Sequence, residues 1–161
     1  MSGDYNDADF LEQVYDALFA RVSTALFPQG TFPGGNGFQT ALRVVDIPDN
    51  VPPAAQPALY QIQGAMNGSQ RAAFGPQRWE LDVFEVVYLR ADGAVPSKQQ
   101  VVPDTVANYV VWGVFQALQP TTPGEKQTLG GIAYHAWIEG PVVPEVAEQQ
   151  VVIVIPIKVL I

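Results

Sequence analysis

The single histidine, His135, stands in the run Tyr134-His135-Ala136-Trp137. Imidazole moves protons near neutral pH and is the commonest metal ligand. A metal centre needs several His, Cys or carboxylate ligands at short spacing. The chain has no cysteine and no such cluster around position 135, so His135 reads as a structural strand residue. Glu80, Asp82 and Glu85 form the densest run of carboxylates outside the N-terminus. On an extended strand Glu80 and Asp82 project from one face, where two carboxyls can divide acid and base roles. Arg78 and Arg90 flank them, which favours a solvated, salt-laced face. Ser23, Ser69 and Ser97 have no nucleophile-elbow sequence around them. Gly30, Gly34, Gly35 and Gly37 have the composition of a phosphate-cradling loop. No Gly-Lys-Ser/Thr follows and no helix opens there, so the stretch reads as a connection. Trp79, Tyr88, Trp112 and Trp137 can stack on a ligand, but core packing is the stronger reading. No catalytic residue, cofactor-binding residue or metal ligand is assigned, no cofactor is implied, and the expectation is a protein that is not an enzyme.

The elements that would position these residues follow from periodicity. Over residues 8–26, Phe10, Leu11, Val14, Tyr15, Leu18, Val22 and Leu26 recur at three-and-four spacing, the mark of an amphipathic helix. Asp7 can cap it, with Asp9 and Glu12 near the positive end of its dipole. Short strands are expected at 40–45 and 58–63, on either side of a proline-rich stretch. Residues 64–76 read as a long polar connection, and such loops are often interaction arms. Arg71 and Phe74 within it, with Arg78 just beyond, are the candidate interface residues. The run from 77 to 91 alternates as a strand, with Trp79, Leu81, Val83, Val87 and Leu89 on one face and Phe84, Val86 and Tyr88 on the other. That second face turns from polar to apolar along its length, so the strand passes from an exposed region to a covered one. Fully extended it spans about 50 Å, against a globule diameter of about 40 Å, so it must bend, bulge or project.

A second helix opens near Pro103 and Asp104 and stops at Pro120. Val106, Tyr109, Val110, Gly113, Val114 and Ala117 cover one face, and Trp112 and Phe115 widen the apolar arc, which predicts heavy burial or a covering partner. Residues 129–140 read as a strand. Residues 149–161 form a continuously apolar strand covered on both faces, with a bulge or edge at Pro156. The order is α-β-β-β-α-β-β. The expected fold is α+β: one domain over residues 1–161, with a mixed, mainly antiparallel sheet of about five strands packed by two helices.

At 161 residues the chain can hide roughly 69% of its unfolded surface in one core. Hydrophobic residues make up 48% and charged ones 15%, which excludes a disordered chain. No apolar run reaches the ~20 residues of a membrane span. The acidic N-terminus offers no signal-peptide n-region. A net charge of −8 and scattered basic residues argue against nucleic-acid wrapping, which needs a basic stripe.

Four segments carry a resemblance. QPALYQIQG, RWELDVFEVVYL, TLGGIAYHAWIEG and QQVVIVIPIKVLI together resemble the tail terminator (tail completion) proteins of long-tailed bacteriophages. The most specific parts are Leu129-Gly130-Gly131, the run His135 to Gly140, and Ile155-Pro156-Ile157-Lys158. The resemblance spans most of Gln56–Ile161. It implies a structural virion protein, assembled in the bacterial host cytoplasm, that forms a hexameric ring on the finished tail tube. Its partners would be further copies of itself, the tail tube protein and the head–tail connector protein. DNA would traverse the ring without specific binding, and no membrane is involved. The acidic groups Asp4, Asp7, Asp9, Glu12 and Asp16, or Glu139, Glu145 and Glu148, would then line a lumen that repels phosphate. The alternatives are another neck or head–tail connector component, or a non-enzymatic small-molecule-binding α+β module.

Overall fold

The computed structural model of the protein describes residues 8–28, 36–48, 51–69, 78–90, 103–147 and 150–161. The three-and-four spacing near the N-terminus produces helix α1 (Phe10–Ser23), which buries Phe10, Val14, Tyr15, Leu18 and Val22 along one stripe. Leu11 and Leu26, expected on that stripe, are exposed. The helix starts at Asp9, whose carbonyl accepts the Gln13 amide at 2.9 Å but whose side chain makes no capping bond. Asp7 lies outside the described residues. Thr24 Oγ1 closes the other end by donating to the Arg21 carbonyl at 2.9 Å.

The sheet comprises β1 (Thr40–Val44), β2 (Ala58–Ser69), β3 (Arg78–Arg90), β4 (His135–Ile138), β5 (Val143–Ala147) and β6 (Gln150–Leu160). Its order is β1-β2-β3-β6-β4, with β5 also paired to β6. β1 is parallel to β2 and the other pairings are antiparallel, so the sheet is mixed and mainly antiparallel with two helices, an α+β fold. It has six strands rather than five. β5 escapes a sequence reading because Pro144 interrupts it. Pro144 sits opposite Ile153, a position of β6 whose backbone groups turn towards β3, so its missing N–H points to the open edge.

Residues 64–69, expected as a loop, continue β2 to Ser69. Backbone pairing with Arg78–Leu81 holds them whatever their side chains. The register slips between Gln63 and Met66, a bulge that re-aims this long pair. Gly64 fits the bulge because a Cβ there would lie 2.8 Å from Phe84 Cε2 and 2.9 Å from the Asp82 carbonyl. The expected strand over 129–140 shortens to His135–Ile138, because Leu129, Gly130 and Gly131 adopt positive φ and form a turn instead. Pro156 behaves as its chemistry requires. It lies where β4 gives way to β5, and its carbonyl accepts the Glu139 amide while its absent donor faces the break.

Odd-numbered residues of β3 and β6 face helix α1 and the second helix, α2 (Pro103–Ala117). Leu81, Val83, Val87, Leu89, Ile153, Ile155 and Ile157 form the main core with both helices. On α2, Ala107, Val110 and Val114 are buried. Gly113 lets that helix approach the chain after α1, since an added Cβ would stand 2.7 Å from the Leu26 carbonyl oxygen. The opposite sheet face is half covered. Val51 and Ala55 cross it and enclose Ala58, Tyr60, Val86 and Tyr88, and Tyr88 Oη donates to the Pro48 carbonyl at 2.7 Å. β3 therefore does run from an open outer face to a covered one.

Candidate interaction surface

The carboxylates of β3 divide between the two faces. Glu80 and Asp82 lie on the outer face, and Lys158 of β6 reaches both, at 3.4 Å and 3.8 Å. The hydrogen bond to Glu80 holds the lysine above its ordinary pKa, with the charges of Glu80, Asp82 and Glu139 acting in the same direction. The salt-laced face is present, but its cation is Lys158, and Arg78 does not serve it. His135 is a satisfied structural residue: its Nδ1 accepts the Gln127 amide at 3.1 Å and its ring stacks on Trp137 at 4.9 Å. Gln127 in turn donates to the Gln119 carbonyl at 2.9 Å and accepts from the Leu129 amide, binding the end of α2 to the turn before β4. Among the described residues, no group of three or more His, Cys, Asp or Glu side chains is placed to hold a metal ion. No helix among them is long and apolar enough to cross a membrane.

Glu85 belongs to the other face. It is 0% exposed, opposite Gln61 on β2 and Ile155 on β6, within the layer facing the helices. Neither carboxyl oxygen has a hydrogen-bond partner among the described residues, and burial pushes its pKa well above the ordinary glutamate value. Gln61 spends its amide N–H on the Tyr15 carbonyl at 3.1 Å, leaving its own Oε1 unpartnered. Grouping Glu85 with Glu80 and Asp82 in the sequence missed this, although the alternation Leu81, Val83, Glu85, Val87, Leu89 carries the signal.

Among the described residues, large apolar side chains remain exposed at several places, three of which group them together. On the outer sheet face, Phe84, Val143, Val152, Val154 and Pro156 floor an open depression of about 380 Å³ with Glu139 and Glu145 beside them. Glu139 is fixed by a short hydrogen bond from Trp137 Nε1. On α2, Trp112 is 55% exposed and stacks on Phe115 at 5.7 Å, so of the two expectations for this apolar arc, burial in the subunit core is corrected for the indole and a covering partner is left. The buried stripe of α2 runs through 107, 110, 114 and 118, and position 112 falls on its far side. The edge strand β1 exposes Leu42, and Val45 and Ile47 follow it into solvent.

Of the candidate interface residues, Arg71 and Phe74 lie outside the described residues. Arg78 opens β3 and lies over the Tyr134 ring, 5.2 Å from its centroid. Lys126 meets the same ring at 3.5 Å. The lysine, more than the arginine, draws the phenol below its ordinary pKa. Of the acidic groups, Glu12 and Asp16 are tied to Arg43 of β1, which holds Glu12 below its usual range. Asp4, Asp7 and Glu148 lie outside the described residues.

The chain matches no family model and no curated protein. Among solved structures it is similar to a chain in the virion of a native gene transfer agent (GTA) particle, at 16% identity and a TM-score of 0.45, with 98% of each chain covered.

Proposed function

We propose that the protein is a structural virion component that assembles as a hexameric ring on the phage tail tube. The ring ends tube polymerisation and presents a docking surface to the head–tail connector, and DNA passes through it without specific binding. The observation that carries this reading is where the four resembling segments fall. QPALYQIQG supplies the first half of β2, RWELDVFEVVYL β3, TLGGIAYHAWIEG the turn and β4, and QQVVIVIPIKVLI β6. These strands are neighbours in the order β2-β3-β6-β4, so the likeness covers one contiguous sheet rather than scattered patches. Apolar groups left open on the sheet and on α2 suit a chain whose work is contact with other chains.

The test is light scattering and negative-stain imaging of the purified protein, alone and with purified tails. The expected result is a six-copy ring, free or seated at the tube end. A monomer in both conditions refutes the reading. A ring that binds connectors but leaves tube length uncontrolled would identify another neck component instead.

A further inference from the structure

Each copy carries a net charge of −8, so copies repel at long range and a stable contact between them needs local complementarity. Among the described residues, the positive half is the pair of cations on Tyr134. Arg43 is bound to Glu12 and Asp16, Lys158 to Glu80 and Asp82, and Arg21 to the Ala117 carbonyl. Arg78 and Lys126 instead converge on one half-exposed aromatic ring, and among the described residues neither holds a carboxylate. Arginine and tyrosine together are the residue types that anchor protein interfaces. The negative half is the outer-face depression, an apolar floor with Glu139 and Glu145 beside it. Trp137 fixes Glu139 in place, and no cation in the same chain pairs directly with Glu145 among the described residues.

The two surfaces lie apart on one subunit. Trp79, next to Arg78, pairs with Ile161 at the end of the sheet, whereas Phe84 pairs with Pro156. Six residue steps along the strand from Arg78 to Phe84 put them about 20 Å apart. A copy therefore cannot fill its own depression but can fill that of a neighbour. Contact between two different patches is heterologous, the kind that repeats head to tail and closes into a ring when the rotation allows.

We propose that successive copies join by seating the Arg78–Tyr134–Lys126 knob of one in the Phe84/Val154/Pro156 depression of the next, with the cations against Glu139 and Glu145. This rests on the ring reading above and names the surfaces that build the ring. The tyrosine ring covers the apolar floor, and the two cations meet the two carboxylates.

The experiment is a charge exchange followed by light scattering. One variant carries Arg78→Glu and Lys126→Glu, and the other carries Glu139→Lys and Glu145→Lys. Each alone sets like charges against like and stays monomeric at concentrations where the wild type is a ring. Mixed in equal amounts they restore both contacts and regenerate a ring of alternating copies. The wild-type ring also loosens with added salt, because its charged contacts lie at a solvent-exposed surface. If both variants assemble like the wild type, or folded variants fail to regenerate a ring on mixing, the proposed surfaces are wrong while the ring reading stands. A wild type that is monomeric even with tails removes the ring reading and this inference together. Should a reversed variant lose its cooperative melt, the neutral pairs Arg78→Gln/Lys126→Gln and Glu139→Gln/Glu145→Gln replace it. Each should weaken assembly about tenfold or more, and unchanged concentration dependence overturns the proposal.

Discussion

Glu85 makes the fold sensitive to pH in a direction opposite to that of an ordinary surface carboxylate. Its side chain is fully enclosed and neither oxygen has a partner, so the folded chain favours the neutral acid. The groups packed around it cannot compensate for a charge. On the neighbouring strands Ile155 is apolar and Gln61 is neutral. The neutral acid also carries a donor, and Gln61 Oε1 is the unpartnered acceptor at the opposite position. In the unfolded chain Glu85 titrates near the ordinary glutamate value of ~4.3. Because the folded value is raised, the stabilising contribution is complete below that ordinary value and is lost as pH rises through the folded pKa. Every pH unit inside that window costs ~1.4 kcal/mol. A domain of this kind holds only about 5–15 kcal/mol in total, so two such units are a large share.

The substitution Glu85→Gln keeps the shape and removes the ionisation. Urea melts of both proteins from pH 4 to pH 8 (on the order of one measurement per half unit) give the difference in stability as a function of pH. Subtraction matters because Glu12, held low by Arg43, contributes the opposite slope: its part is present above the ordinary carboxylate pKa and is lost on acidification. The expected difference is small at the acid end and grows in favour of Glu85→Gln by ~1.4 kcal/mol per unit above the ordinary pKa until the folded Glu85 ionises. A difference independent of pH, or one that favours the wild type as pH rises, shows an ionised and paired carboxylate and refutes the reasoning.

The remaining predictions concern α2. Gly113→Ala should destabilise by about 1–3 kcal/mol, because the new methyl meets the Leu26 carbonyl and the Phe27 ring, and backbone must move to admit it. A thermal melt within a degree or so of the wild type would show that the helix can back away freely. Trp112→Ala should cost less than about 1 kcal/mol, since more than half of the residue is in solvent and its ring contact is Phe115, itself exposed. A loss of about 3 kcal/mol or more, the size found for an enclosed aromatic, would place the indole inside the core.

Much of the framework was legible because it rests on periods that burial enforces. The alternation of β3 correctly separates Leu81, Val83, Val87 and Leu89 from Phe84, Val86 and Tyr88, and the stripe of α1 names the five residues it buries. Pro156 marks a break in pairing because a missing N–H is a local fact that no tertiary context can repair. What failed was of another kind. β5 and the outer half of β2 are held by backbone pairing to the strand that follows each, so their polar and proline residues carry no signal of it. Trp112 and Phe115 add apolar width to α2, but composition alone cannot say whether that width meets the core or the solvent. The candidate surface combines both cases. Arg78 was visible as an arginine at a strand start, yet its convergence with Lys126 on Tyr134 depends on a turn built by Leu129 and two glycines at positive φ. Glu85 is the sharpest example. Its alternation with Leu81, Val83, Val87 and Leu89 points inward, and its grouping with Glu80 and Asp82 as one carboxylate run hid that signal.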